Sequence, residues 1–167
     1  MLGCGSPDGS KLTFSLNSQA DTSDGLYVFD TNTHQAQKIP GSEGYWKSRW
    51  SPDGGYLVSV TSNNKTIGVF EWSSQKWTVI VHGNVLSPVA WSNDSRFVFY
   101  QDILETDEPA RRFNITTGSS ERIVDCRSLL EGGVQRCGFE AVMPDASVVL
   151  RLTRGDHDVF SLELDVR

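Results

Sequence analysis

The sequence predicts an all-β fold, a partial β-propeller of about four blades, each with up to four antiparallel strands. Three observations carry that prediction. A turn tetrapeptide recurs: Ser6-Pro7-Asp8-Gly9, then Ser51-Pro52-Asp53-Gly54, and in weaker form Ser92-Asn93-Asp94-Ser95 and Pro144-Asp145-Ala146-Ser147. Asp8, Asp53, Asp94 and Asp145 stand 45, 41 and 51 residues apart, and a period of roughly 40–50 residues built from short strands is the spacing of propeller blades. Between the markers run short segments rich in Val, Ile, Phe, Tyr and Trp and bounded by Gly, Asn, Ser and Asp, as strands are.

Taken in order, the first blade (1–41) has only residues 2–5 where an inner strand belongs, followed by strands at 11–16, 25–30 and 36–39. The second (42–83) has four, at 46–50, 56–60, 67–72 and 76–81. The third (84–126) has four, at 87–91, 97–100, 110–115 and 120–124. The fourth (127–167) is incomplete, with strands at 139–143, 148–152 and 158–162. Fourteen strands are therefore expected. Several runs are apolar at nearly every position, which suits strands covered on both faces. Helical spacing is confined to a single turn around residues 127–130.

The marker needs no function to explain it. Proline fixes φ for a type I turn, aspartate hydrogen-bonds the backbone two residues on, and glycine accepts a left-handed conformation without a steric penalty. Trp50 and Trp91, just before the second and third markers, end inner strands and are expected to pack between blades. Ser6, Pro7, Asp8, Gly9, Ser51, Pro52, Asp53, Gly54, Asp94 and Asp145 thus read as structural turn residues, not as catalytic or metal-binding groups.

Composition excludes several classes. A chain of 167 residues with 38% hydrophobic and 22% charged residues is not disordered. Fifteen basic against 21 acidic residues, a net charge of −6, argues against nucleic acid, whose phosphates need a basic surface. No apolar run approaches the ~18 residues of a membrane span. Residues 1–5 lack the charged and apolar regions of a signal peptide. The compartment is then cytoplasmic or, through a missing N-terminal part, periplasmic. An odd count of cysteines (Cys4, Cys126, Cys137) in such a chain predicts unpaired thiols, although Cys126 and Cys137 flank a glycine-rich loop and would meet in an oxidising compartment.

No Cys/His spacing matches a zinc site, no nucleophile elbow is present, and Gly132-Gly133 lacks the lysine of a phosphate loop. No catalytic residue, metal or cofactor is therefore assigned. His34 and His82 read as turn residues. In Asp156-His157-Asp158 two carboxylates flank an imidazole, but neighbours in a turn point apart.

With these residues in hand, the chain resembles the WD-repeat-like propeller repeat of bacterial TolB-type proteins. The stretch Trp46-Lys47-Ser48-Arg49-Trp50-Ser51-Pro52-Asp53-Gly54-Gly55-Tyr56-Leu57 is the closest match, with the aromatic–acid strand ends Phe29-Asp30 and Phe70-Glu71. The third marker departs at Asn93 and Ser95, the fourth at Ala146. The resemblance implies a non-catalytic scaffold that binds proteins; the DNA-binding, kinase, membrane-anchoring or hydrolase segments often joined to such propellers are not in this chain. Related arrays have six to eight blades, so the chain is expected to be the C-terminal part of a longer array. Unpaired blade edges would then favour self-association.

The function expected is therefore that of a protein-interaction module presenting loops on a stiff scaffold, and not of an enzyme. Candidate binding residues are Asp102, Glu105, Asp107 and Glu108 in an acidic insertion, with Trp46 and Arg49 at the rim. The insertion also reads as a plain solvated loop. A propeller part of a hydrolase or lyase, or a domain sensing a sugar or peptide, is the alternative.

Overall fold

The computed structural model describes residues 3–15, 24–105, 107–145, 147–154 and 159–164. Four antiparallel sheets follow one another. The first runs β1 (Gly3–Gly5), β2 (Lys11–Ser15), β3 (Leu26–Asp30), β4 (Gln35–Lys38) and the second β5 (Tyr45–Trp50), β6 (Tyr56–Thr61), β7 (Thr66–Glu71), β8 (Lys76–His82). The third is β9 (Leu86–Trp91), β10 (Phe97–Asp102), β11 (Ala110–Asn114), β12 (Ser120–Val124). After helix α1 (Arg127–Glu131) comes a three-stranded sheet of β13 (Val134–Val142), β14 (Val148–Arg154) and β15 (Val159–Leu164). Every sheet is a meander in which each strand pairs only with its neighbours in sequence, the topology of a propeller blade.

The chain divides into two compact units, Met1–Gly83 and Asn84–Arg167, with two sheets in each. In the first unit the core gathers Leu26, Val28, Ile39, Tyr45, Trp50, Leu57 and Phe70. Aromatic rings dominate it. Tyr45 stacks on Trp77 with centroids 4.2 Å apart, Trp50 stacks on Trp72 at 4.9 Å, and Phe70 meets Trp72 edge-on. Gly68 makes room for the first of these stacks, since a Cβ there would lie 2.3 Å from the Tyr45 hydroxyl. In the second unit the core is Phe99, Ala110, Val124, Phe139, Val148 and Leu150, closed by Cys126 and Cys137.

The marker turns form as their chemistry requires, with serine contributing as much as proline. Ser6 Oγ donates to Asp8 Oδ1 at 2.6 Å and accepts from the Lys11 N–H at 2.9 Å, while Asp8 Oδ1 also accepts from the Ser10 N–H. Ser51 with Asp53 and Ser92 with Asp94 repeat the arrangement at the same distances. Gly9 and Gly54 take φ of 71° and 73°, and Ser95 takes 59° in the third copy. The Ser–Asp pair, present in three copies, therefore sets the turn even where proline and glycine are missing. In the fourth copy Met143 stands in the serine's place, and Ser147 donates through both N–H and Oγ to Asp145.

Three expectations are corrected. The described residues hold fifteen strands, not fourteen, because residues 3–5 form an inner strand whose Gly-Cys-Gly sequence carries no β preference. Pairing with Leu12, Thr13 and Phe14 makes it one, and the Cys4 carbonyl is held by Thr13 Oγ1 and Trp50 Nε1. Strand β13 starts five residues before the expected 139, drawn out along β14 through two register shifts. Cys126 and Cys137 are joined in a disulfide, where unpaired thiols were expected. The turn of α1 brings their Cα atoms to 6.2 Å, within bonding range, with both side chains buried; Cys4 is the free thiol.

Candidate functional site

The acidic insertion leaves β10 at Gln101 and Asp102, two polar residues with 1% and 6% of their surface exposed. Neither is idle. Gln101 Nε2 donates to the carbonyls of Glu108 (2.6 Å) and Cys137 (2.7 Å), and its Oε1 accepts from the Phe139 N–H (2.9 Å). One side chain thereby fastens the far end of the loop to strand β13. Asp102 accepts from the N–H groups of Asn84 (2.7 Å), Val85 (3.1 Å) and Leu104 (3.2 Å), and from the Asn84 side-chain amide. Burial pushes its carboxyl up, but these donors outweigh that effect and hold it below the ordinary carboxylate range.

Between the two clamps the loop is tightly wound. The Glu105 N–H donates to the Asp102 carbonyl and the Glu108 N–H to the Glu105 carbonyl. Asp107 and Glu108 sit at φ of 72° and 42°, left-handed conformations that side chains seldom adopt and that surrounding contacts must enforce. Ionic contacts join the two clamps in enforcing them. Arg111 grips Glu105 with two hydrogen bonds, at 2.6 and 3.2 Å, and Arg122 lies 3.6 Å from the same carboxylate. Arg127 pairs with Asp107 and holds its carboxyl below the usual range. Glu108 accepts from the Cys137 N–H at 2.8 Å and faces Arg136 at 3.8 Å.

Three of the four acidic candidates are thus brought together on one loop, with Asp102 at the end of β10 just before it, each with partners of its own. The loop thus carries paired charges, together with Leu104, which is 64% exposed. Trp46 and Arg49 lie in the other unit, on β5. Lys47 places its ammonium 4.1 Å from the Trp46 ring centroid, and Arg49 is exposed with Nη1 donating to the Ser48 carbonyl. Sequence reasoning missed Gln101 as a clamp and Arg111, Arg122, Arg127 and Arg136 as counter-ions. The signal was available for the arginines, which recur through the 28 residues after the acidic run in an otherwise acidic chain.

His34 occupies a left-handed turn position, and His82 ends β8. Residues 156–158 lie outside the described residues. Among the described residues no three His, Cys, Asp or Glu side chains gather as a metal site, and no helix is long and apolar enough to cross a membrane.

No protein-family model matches the sequence, and comparison with curated proteins gives no match. Solved structures do match. TolB from Acinetobacter baumannii superposes with a TM-score of 0.73 at 15% identity, over 99% of this chain and 41% of that one. An oligogalacturonate lyase from Vibrio parahaemolyticus gives 0.70 at 16%, over 99% and 50%. The tricorn protease gives 0.64 at 16%, over 86% and 14%. Identities this low establish the fold alone: the chain is a partial β-propeller of TolB-like blades, spanning half or less of the length of these proteins.

Proposed function

We propose that this chain is a non-enzymatic interaction module, a set of blades from a larger propeller that presents a preorganised loop to a protein partner. The carrying observation is the loop of residues 103–109. Asp102 and Gln101 fasten its two ends, arginines fix its three carboxylates, and Leu104 projects from it. A loop already held in one conformation loses little entropy on binding, so an exposed apolar side chain on it contributes to affinity nearly undiminished. The paired charges on the same loop suit a partner surface of mixed sign, recognised by complementarity beside a small apolar contact.

The structures it resembles include a protease and a lyase as well as TolB. The reading as part of a hydrolase or lyase has no cluster of chemical groups among the described residues to favour it over a binding role. A photo-crosslinking residue at position 104 tests the proposal in an extract of the source cells. The outcome expected is a discrete adduct that Leu104→Asp competitor no longer suppresses while wild-type competitor does. Equal suppression by both competitors would refute the loop as the binding element.

A further inference from the structure

A second feature lies in the other unit, between the first two marker turns. There a pocket of about 260 Å3 is lined by Ser6, Asp8, Ser10, Lys11, Trp50 and Trp72, with the second turn at its edge. Trp72 stacks on Trp50 with 5° between the ring planes. Its place in the blade does not require an aromatic. The residues following β3 and β11, Thr31 and Ile115, make the same backbone hydrogen bond to the preceding turn as Trp72 does. The indole N–H of Trp72 is buried with no hydrogen-bond partner, a state that costs roughly 1–3 kcal/mol.

The second unit supplies an internal control. There Asn93 Nδ2 donates to the Pro144 carbonyl at 2.8 Å, tying the corresponding pair of turns together. Pro7 stands at the position of Asn93 and has no amide to donate, and Trp50 stands where the fourth sheet has Val142. One pair of turns is tied; the other opens onto an indole pair.

We propose that this pocket binds a neutral saccharide, with one pyranose ring laid against the Trp72 side. The lining selects that chemistry. Sugar C–H groups carry slight positive charge and suit the negative face of an indole. Hydroxyls both donate and accept, so one ligand can donate to the Asp8 carboxylate and accept from the Lys11 ammonium. With Asp53 of the second turn also in the lining, two carboxylates face one ammonium, which disfavours an anion and makes a cation the competitor to test against. Hydrogen bonds from the Ser6 hydroxyl, and from the Ser10 N–H and hydroxyl, hold Asp8 down to about 2, so it is an acceptor throughout the physiological range. A volume just under the ~300 Å3 lower end of small-molecule sites fits a single ring. This site is independent of the loop of residues 103–109, and failure of either reading leaves the other standing.

The test titrates the full chain with methyl β-D-glucopyranoside and with N-acetyl-D-glucosamine, followed by tryptophan fluorescence and saturation-transfer NMR, with tetramethylammonium as the cationic control. Saturable binding of at least one sugar is expected. It should weaken about tenfold or more in Trp72→Ile, which carries the residue of the third sheet. Pro7→Asn, which installs the tie seen in the second unit, is expected to weaken it as well. Because Trp72→Ile touches the core, Pro7→Asn decides if that variant does not fold. No saturable response to either sugar, wild-type affinity in folded Pro7→Asn, or binding of tetramethylammonium in place of sugar would each overturn the proposal.

Discussion

The two units solve one structural problem with different chemistry. Residues 1–83 keep both marker turns intact and fill the space around them with stacked rings: Tyr45 on Trp77, Trp50 on Trp72, Phe70 against both tryptophans. Residues 84–167 have weakened markers, and there a buried glutamine, a buried aspartate, a disulfide and arginine–carboxylate pairs do the holding. The difference teaches what a blade needs. Strand pairing and a turn aspartate that accepts from the N–H two residues on are the shared minimum, and whatever occupies the space beyond them is open to change. Nondirectional aromatic packing serves where bulky rings fill the core. Directional hydrogen bonds serve where a long loop must take one conformation, because each fixes a particular atom.

The sharpest way to break this contrast is to remove the directional element. Gln101→Leu keeps the volume but leaves the Phe139 N–H and the Glu108 and Cys137 carbonyls without their partner. A loss of about 3 kcal/mol or more is expected, read by urea unfolding and by faster hydrogen exchange at the amides of β10 and β13. Exchange unchanged there would mean that apolar packing alone holds the second unit. Next in size is the disulfide. Closing an 11-residue separation is worth about 3 kcal/mol in the chain-entropy account, so the Cys126→Ser/Cys137→Ser double variant should unfold at correspondingly lower urea. Under denaturing, non-reducing conditions the native chain should show one reactive thiol, Cys4, and three after reduction.

The first unit has its own matched insult. In Gly68→Ala the new Cβ meets the Tyr45 ring and must drive it off Trp77. Overpacking of this kind costs about 1–3 kcal/mol, and a changed near-UV circular dichroism signal from the lost stack is expected with it. The smallest effect sharpens the shared feature, the turn. Asp8 has a folded-state value of about 2 against an ordinary 3.8, and Asp94 and Asp145 are also lowered. A depressed carboxylate contributes stability that is fully present above the unfolded value and lost as pH falls through the folded one. For Asp8 the window runs from about pH 4 down to about pH 2. The thermal midpoint of Asp8→Asn should therefore fall less steeply than wild type across that window.

The strands were legible in the sequence because each is short, rich in β-formers and bounded by a marker, and their order follows from the repeat. Residues 3–5 were not, since Gly-Cys-Gly becomes a strand only through its pairing with β2. The early start of β13 was hidden for the same reason: Val134 to Gly138 alternates poorly and is extended by its partner β14. The acidic insertion was legible as a departure from the repeat, but its counter-ions were not. Their arginines come from β11, β12, α1 and β13, and only the fold brings them back to the loop. The disulfide was misjudged because the count of cysteines carries no geometry, whereas a helical turn between Cys126 and Cys137 does.

Gln101 and Asp102 hold the loop between β10 and β11 in one conformation at its described residues, 103–105 and 107–109. Backbone 15N relaxation at the Leu104, Glu105, Asp107 and Glu108 amides tests it most directly. The account expects order parameters near the ~0.85 of rigid backbone in the wild type, falling below ~0.6 in Gln101→Leu. Low order parameters in the wild type, or unchanged ones in the variant, would contradict it.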